Sequence, residues 1–138
     1  VERIKRIVVK VGSQLLAGGD SIDAGFLENL AGQVAVLRAS GVEVVVVSSG
    51  AVLAGIGALE LGRKPFSLQE KQALSAVGQP YLMSEYRSAF EKFGMKVAQV
   101  LLTAEDLRSK ERFVNARNTF DALLRLGVVP VVNENDTV

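Results

Sequence analysis

The sequence predicts an α/β protein, a three-layer αβα arrangement around a mainly parallel sheet. Three observations predict it. Short runs rich in β-branched residues recur along the chain. Segments with apolar residues at helical spacing separate them. Most of the runs end in small or polar residues, of the kind found where open α/β sheets bind ligands.

The first run is Ile7-Val8-Val9-Lys10-Val11. Continuous apolar runs of this kind suit strands buried on both faces of a parallel sheet. Next, Ile22, Phe26, Leu30, Val34 and Leu37 fall on one helical face, with Ser21 as the predicted N-cap and Gly41 as the stop. Val44-Val45-Val46-Val47 is the second strand, and Ser48-Ser49-Gly50-Ala51 after it opens a helix. Gly62-Arg63-Lys64-Pro65-Phe66 reads as a loop between helices. Ser67 and Glu70 have capping-box spacing ahead of a long helical stretch ending near Gly94. Gly78 and Pro80 predict a kink or break within it.

The third strand is Val97-Ala98-Gln99-Val100-Leu101-Leu102, and Thr103-Ala104-Glu105-Asp106 reads as a helical turn with an acidic start. Phe113, Ala116, Phe120, Leu123 and Leu124 define another helix, closed by Gly127. Val128-Val129-Pro130-Val131-Val132 is the last strand. The order β-α-β-α-α-β-α-β implies right-handed crossovers with helices on both faces of the sheet.

Composition narrows the chemistry. The chain has 138 residues, 49% of them apolar and 22% charged, an ordinary globular balance. A net charge of +1 creates no field favouring nucleic acid or an anionic membrane. With no cysteine and no histidine, thiol catalysis, zinc–thiolate sites and a Ser-His-Asp triad are excluded within this chain. No apolar run reaches membrane-spanning length, and the basic start is followed by too short an apolar stretch for a signal peptide, so a cytoplasmic location is expected. The chain lacks an initiator Met, and a trimmed N-terminus is expected.

Chemistry is expected at the carboxyl ends of the strands. Lys10 can place its ammonium at that edge, where phosphates bind, and Gly12 beside Ser13 permits close backbone approach. A snorkelling lysine beside a turn fits the spacing equally well. Ser49, Gly50 and Ala51 would expose backbone N–H groups at a helix start, suited to an anionic oxygen, although capping alone is the commoner role of such a serine. Asn133-Glu134-Asn135-Asp136 offers adjacent hydrogen-bonding side chains for an amino acid, or a cluster of Asx turns.

Several familiar motifs fail. Gly57 to Lys64 resembles a P-loop only briefly, since it lacks the Lys-Ser/Thr pair and follows a helix. No G-x-G-x-x-G follows the first strand, which disfavours a dinucleotide-binding oxidoreductase. The segment from Asn133 to Thr137 lacks the glycine of a calcium loop. The basic residues have no aromatic platform for nucleic acid.

Five segments together resemble one family. Val8-Val9-Lys10-Val11-Gly12-Ser13, Val46-Val47-Ser48-Ser49-Gly50-Ala51-Val52, Lys71-Gln72-Ala73-Leu74-Ser75-Ala76-Val77-Gly78-Gln79, Glu111-Arg112-Phe113-Val114-Asn115-Ala116-Arg117 and Pro130-Val131-Val132-Asn133-Glu134-Asn135-Asp136 are similar, in order and across the whole chain, to the amino acid kinase family. The Lys-x-Gly-Ser start is shared widely in that family. The Ser-Ser-Gly-Ala and Asn-Glu-Asn-Asp segments resemble its glutamate-phosphorylating branch more specifically. One departure is Pro80, unexpected in a continuous helix.

The resemblance implies transfer of the ATP γ-phosphate to the side-chain carboxylate of L-glutamate with Mg²⁺, the first step of proline biosynthesis. Proline is implied as a feedback inhibitor and a homo-oligomer as the assembly. Lys10 matches the family lysine on the transferring phosphoryl group, and Gly12 and Ser13 match the phosphate-cradling turn. Ser49, Gly50, Ala51, Asn133 and Asp136 match substrate-binding positions. No protein metal ligand is assigned.

The last strand runs into a dense polar loop at the terminus, so truncation is expected. Residues 1–138 would be the acceptor-substrate part of one kinase domain, with the nucleotide-binding part downstream and the fragment inactive alone. Alternatives are a kinase of N-acetylglutamate or aspartate, or a non-catalytic module that senses an amino acid.

Overall fold

The computed structural model describes residues 3–62 and 64–133. Its order is β1 (Arg6–Val11), α1 (Ser13–Leu16), β2 (Ala17–Gly18), β3 (Ser21–Ile22), α2 (Ala24–Ala39), β4 (Glu43–Ser48), α3 (Ala51–Leu59), α4 (Leu68–Glu91), β5 (Lys96–Leu101), α5 (Ala104–Arg108), α6 (Lys110–Arg125) and β6 (Val128–Asn133). The four expected strands form one parallel sheet in the order β1-β4-β6-β5. The chain passes from β4 to β5 and returns to insert β6 between them. A right-handed crossover in that reversed direction carries α6 to the other face of the sheet.

Burial confirms helices on both faces. On one side Val11, Val44, Val46, Val129 and Val131 pack with Leu27, Ala31 and Val34 of α2 and with Leu82, Tyr86 and Phe90 of α4. On the other, Val45, Val100 and Val132 pack against Phe120, Leu123 and Leu124 of α6. Alternating side chains of the inner strands β4 and β6 feed both layers. The outer strands are not buried on both faces as expected: Val8 of β1 is 63% exposed and Leu101 of β5 65%, because each has a neighbour strand on one side only. Pro130 is buried in β6 and lacks the N–H that a ladder would use. Pairing of β6 with β4 begins one residue later, at Val131.

Local signals behave as expected in most places. Ser67 and Glu70 close a capping box at α4, as do Thr103 and Asp106 at α5. These bonds to the cap residue hold both carboxyls below their ordinary values. Gly41 and Gly127 follow α2 and α6 with φ of 87° and 77°.

Two expectations are corrected. Asp23, not Ser21, caps α2, accepting from the Phe26 N–H. Ser21 and Ile22 are instead taken up by a short antiparallel hairpin with Ala17 and Gly18, which the pattern of side chains did not signal. Second, α4 runs unbroken through Gly78 and Pro80. Pro80 cannot bond to the Ala76 carbonyl, but both residues are exposed and water can satisfy that oxygen.

Gly78 serves packing rather than breaking. A Cβ there would lie 1.8 Å from the Ala51 carbonyl oxygen, and one at Gly55 would lie 2.1 Å from that of Leu74. Helices α3 and α4 therefore meet backbone to backbone, a contact that any side chain at either glycine would prevent. Because α3 begins at Ala51, this contact sets where its first turn sits.

Candidate active site

The register brings the strand ends into one row. Val11 pairs with Ser48, Ser48 with Asn133, and Asn133 with Leu101. Just beyond that row, the Ser49 N–H donates to the Val11 carbonyl at 2.9 Å, tying the β1 and β4 loops together. Lys10, Gly12, Ser13, Ser49, Gly50, Ala51 and Asn133, scattered over the sequence, thus share one edge of the sheet. Asp136 lies outside the described residues.

Gly12 precedes α1 with φ −80° and ψ 160°, a conformation open to any residue, and nothing lies within 4 Å of where its Cβ would be. The backbone here faces open space, which suits approach by a ligand. Lys10, one strand position inside the row, is exposed.

Gly50 differs from Gly12. Its φ is 109°, and a Cβ would stand 2.7 Å from Leu16 Cδ1. The conformation demands glycine there, and a Cβ would also press on the buried Leu16 side chain. It precedes α3, whose first turn has no side-chain cap. Ser49, Gly50 and Ala51 are all buried. A helix start that is buried and uncapped leaves N–H groups at the positive end of the helix, a setting for an anion. Ser49, a possible cap in the sequence, does not play that part.

Behind this turn lies a buried hydroxyl chain. The Tyr86 hydroxyl donates to Ser48 Oγ at 2.7 Å, and Ser48 Oγ donates to the Ser49 carbonyl at 2.7 Å. Burial pushes the Tyr86 hydroxyl up to about 12, against the lowering effect of its bond to Ser48. At the far strand end, the Asn133 side-chain oxygen is buried with no hydrogen-bond partner among the described residues. Such an atom is satisfied by a donor from elsewhere, and an ammonium or amide would serve.

Beside the start of α3 opens a cavity of about 560 Å³. Ser13 and Gln14, Val52, Leu53 and Ile56 of α3, and Lys64, Phe66 and Lys71 are among its lining residues. Its only charged lining groups among the described residues are the two lysines. Lys64 Nζ lies 5.5 Å from the centroid of the Phe66 ring. Lys71 stands in the first turns of α4, near the positive end of that helix, where a cation is unfavourable. That placement is the signal by which the sequence could have marked it. Tyr86 and Ser48 carried no such signal, since an apolar-face tyrosine and a strand-end serine are ordinary core residues.

Together, a parallel α/β sheet, a lysine and glycine turn at one strand end and a buried helix start at the next make an edge suited to anionic groups. The model of the amino acid kinase family matches residues 5–138, and the chain belongs to that family. Within it, the chain is 54% identical to a glutamate 5-kinase of a Geobacter species over 139 aligned residues, covering 100% of this chain and 37% of the relative. It is 56% identical to the glutamate 5-kinase of Thermus thermophilus over 134 residues, 97% of this chain and 36% of that protein. A third, from Geobacter sulfurreducens, is 52% identical. The chain thus spans 37% or less of the length of these relatives.

Proposed function

We propose that the whole protein is a glutamate 5-kinase, transferring the γ-phosphoryl group of ATP to the side-chain carboxylate of L-glutamate. The observation that carries this reading is identity above one half to glutamate 5-kinases along essentially all of this chain. The geometry supports it. A carboxylate and a triphosphate repel, so the site must neutralise charge while aligning the two. Lys10 supplies a cation at the end of β1, and the start of α3 supplies buried N–H donors at the end of β4.

In the reaction a carboxylate oxygen attacks the γ-phosphorus and the bond to the ADP oxygen breaks. The products are L-glutamyl 5-phosphate and ADP. Lys10 stabilises charge on the phosphoryl oxygens, and the open backbone of Gly12 and Ser13 lies beside them. The start of α3, from Ser49 to Ala51, holds the acceptor. The Asn133 side-chain oxygen takes a hydrogen bond from the glutamate ammonium, with Asp136 as a second anchor. The α-carboxylate, which is not phosphorylated, fits the cavity that contains Lys64 and Lys71 and no acidic lining residue among the described residues.

ATP fits Lys10 and the Gly12–Ser13 turn through its terminal phosphate. Mg²⁺, which the family reaction implies, would neutralise the phosphates. Among the described residues no three acidic side chains converge, and Mg²⁺ on a nucleotide takes only one or two protein carboxylates beside the phosphates. Residues 1–138 form the acceptor-substrate part of the kinase domain in this reading. A cytoplasmic location, a homo-oligomer and inhibition by proline complete it; no helix among the described residues is long and apolar enough to cross a membrane.

The test is ADP release by the full-length protein with L-glutamate, N-acetylglutamate and L-aspartate in parallel. Glutamate-dependent turnover is expected. Preference for either of the others assigns a different acceptor, and failure to bind ATP makes the protein a sensor rather than a kinase.

A further inference from the structure

The start of α3 presents N–H groups, but a glycine at its cap leaves their direction underdetermined. The Ser49–Gly50 peptide turns as a unit through ψ of Ser49 and φ of Gly50. Gly50 sits at φ 109°. Turning that peptide over would carry this φ to the negative side, which glycine also populates freely. A residue with a Cβ would exclude one of the two states, whereas glycine excludes neither. Something else must select.

The buried hydroxyl chain does so. A carbonyl oxygen only accepts, so Ser48 supplies the proton in its bond to the Ser49 carbonyl. Tyr86 must then supply the proton between the two hydroxyls. Both side chains are wholly inaccessible, Tyr86 and Ser48 each at 0% exposure, so water cannot replace either bond. Peptides are planar, and there are no cis bonds among the described residues. The Gly50 N–H therefore points opposite to the Ser49 carbonyl. With that carbonyl held inward by Ser48, the N–H turns away from the core.

We infer that Tyr86 is a positioning residue of the acceptor site: through Ser48 it locks the Ser49–Gly50 peptide with the Gly50 N–H directed at the bound carboxylate. This rests on the glutamate 5-kinase reading. Tyr86 touches no substrate itself. It is 38 residues from Ser48 in sequence and reaches the peptide only because α4 packs across the sheet. A flipped peptide would aim a carbonyl oxygen at the carboxylate, so the lock removes a repulsive alternative as well as supplying a donor.

The experiment uses the full-length protein as wild type, Tyr86→Phe, Ser48→Ala and the double variant, with steady-state kinetics and thermal melting for each. Wild-type turnover of glutamate tests the underlying reading by itself; its absence sinks that reading and this inference together. Given turnover, Tyr86→Phe is expected to raise the glutamate KM about five- to tenfold, the scale of one lost hydrogen bond. The ATP KM and kcat should move less than about twofold. Ser48→Ala should give a similar rise, and the double variant no more than the larger single effect. A glutamate KM at the wild-type level in Tyr86→Phe, with or without a lower melting temperature, overturns the inference while leaving the kinase reading standing. So do effects of the two substitutions that multiply. If Tyr86→Phe does not fold, Ser48→Ala decides alone by its glutamate KM.

Discussion

Gly78 of α4 lies against Ala51 of α3 so closely that a Cβ on it would stand 1.8 Å from the Ala51 carbonyl oxygen. The obstacle is backbone, which cannot swing aside as a side-chain tip can. Gly78→Ala must therefore push the two helices apart, at a cost of about 3 kcal/mol or more. Chemical denaturation of the full-length protein measures it. Since α3 starts at Ala51, the glutamate KM is expected to rise as well in whatever folded protein remains.

Lys10 faces the transferred group in the proposed reaction, where charge develops. Lys10→Ala is expected to lower kcat about 10²–10³-fold, with a much smaller change in glutamate KM. A selective KM effect would move Lys10 from the phosphoryl group to the acceptor.

Lys71 lines the cavity beside α3. Lys71→Gln is expected to raise the glutamate KM about tenfold or more with kcat nearly kept, the scale of a lost charge-assisted hydrogen bond. Wild-type enzyme should discriminate against the α-amide of glutamate, and the variant should lose most of that discrimination. Equal discrimination by both would place the α-carboxylate elsewhere.

Tyr86 gives an alkaline signature. Its hydroxyl is raised from 10.0 to about 12 in the folded protein. The folded state therefore holds a proton that the unfolded state loses between those values. The associated stability is fully present below pH 10.0 and disappears as pH rises through about 12. It amounts to roughly 2–3 kcal/mol. Urea denaturation of the full-length protein from pH 9 to about 12 should show this loss, and Tyr86→Phe should remove that share of the slope.

The isolated 138-residue chain is expected to release no ADP with glutamate, because it spans 37% or less of the length of the glutamate 5-kinases it resembles. A coupled assay on that chain checks it, and glutamate-dependent turnover would show that residues 1–138 suffice.

Much of this was legible in the residues. The four valine-rich runs became four parallel strands, although burial on both faces holds for the inner pair β4 and β6 and not for the outer β1 and β5. The Ser67–Glu70 box and the glycine after α6 acted where they stood, since caps and left-handed stops are governed by neighbours within a few residues. Lys10, Gly12, Ser49 and Gly50 could be singled out because they lie at or just beyond strand ends, where α/β sheets bind ligands.

What escaped was long-range. Ser21 and Asp23 are both good caps two residues apart, and only the hairpin that claims Ser21 decides between them. Gly78 beside Pro80 looks like a helix breaker, and only the crossing with α3 reveals a packing glycine. By itself the sequence determined the four strands of the main sheet, the long helices and the strand-end loops proposed to carry chemistry, because those depend on local conformation and on which side chains avoid water. Strand order, the row that brings Lys10, Ser49 and Asn133 to one edge, the lysine-lined cavity and the link from Tyr86 to the Ser49 carbonyl were decided only by tertiary structure. Each needs groups tens of residues apart to meet, and no local preference encodes that meeting.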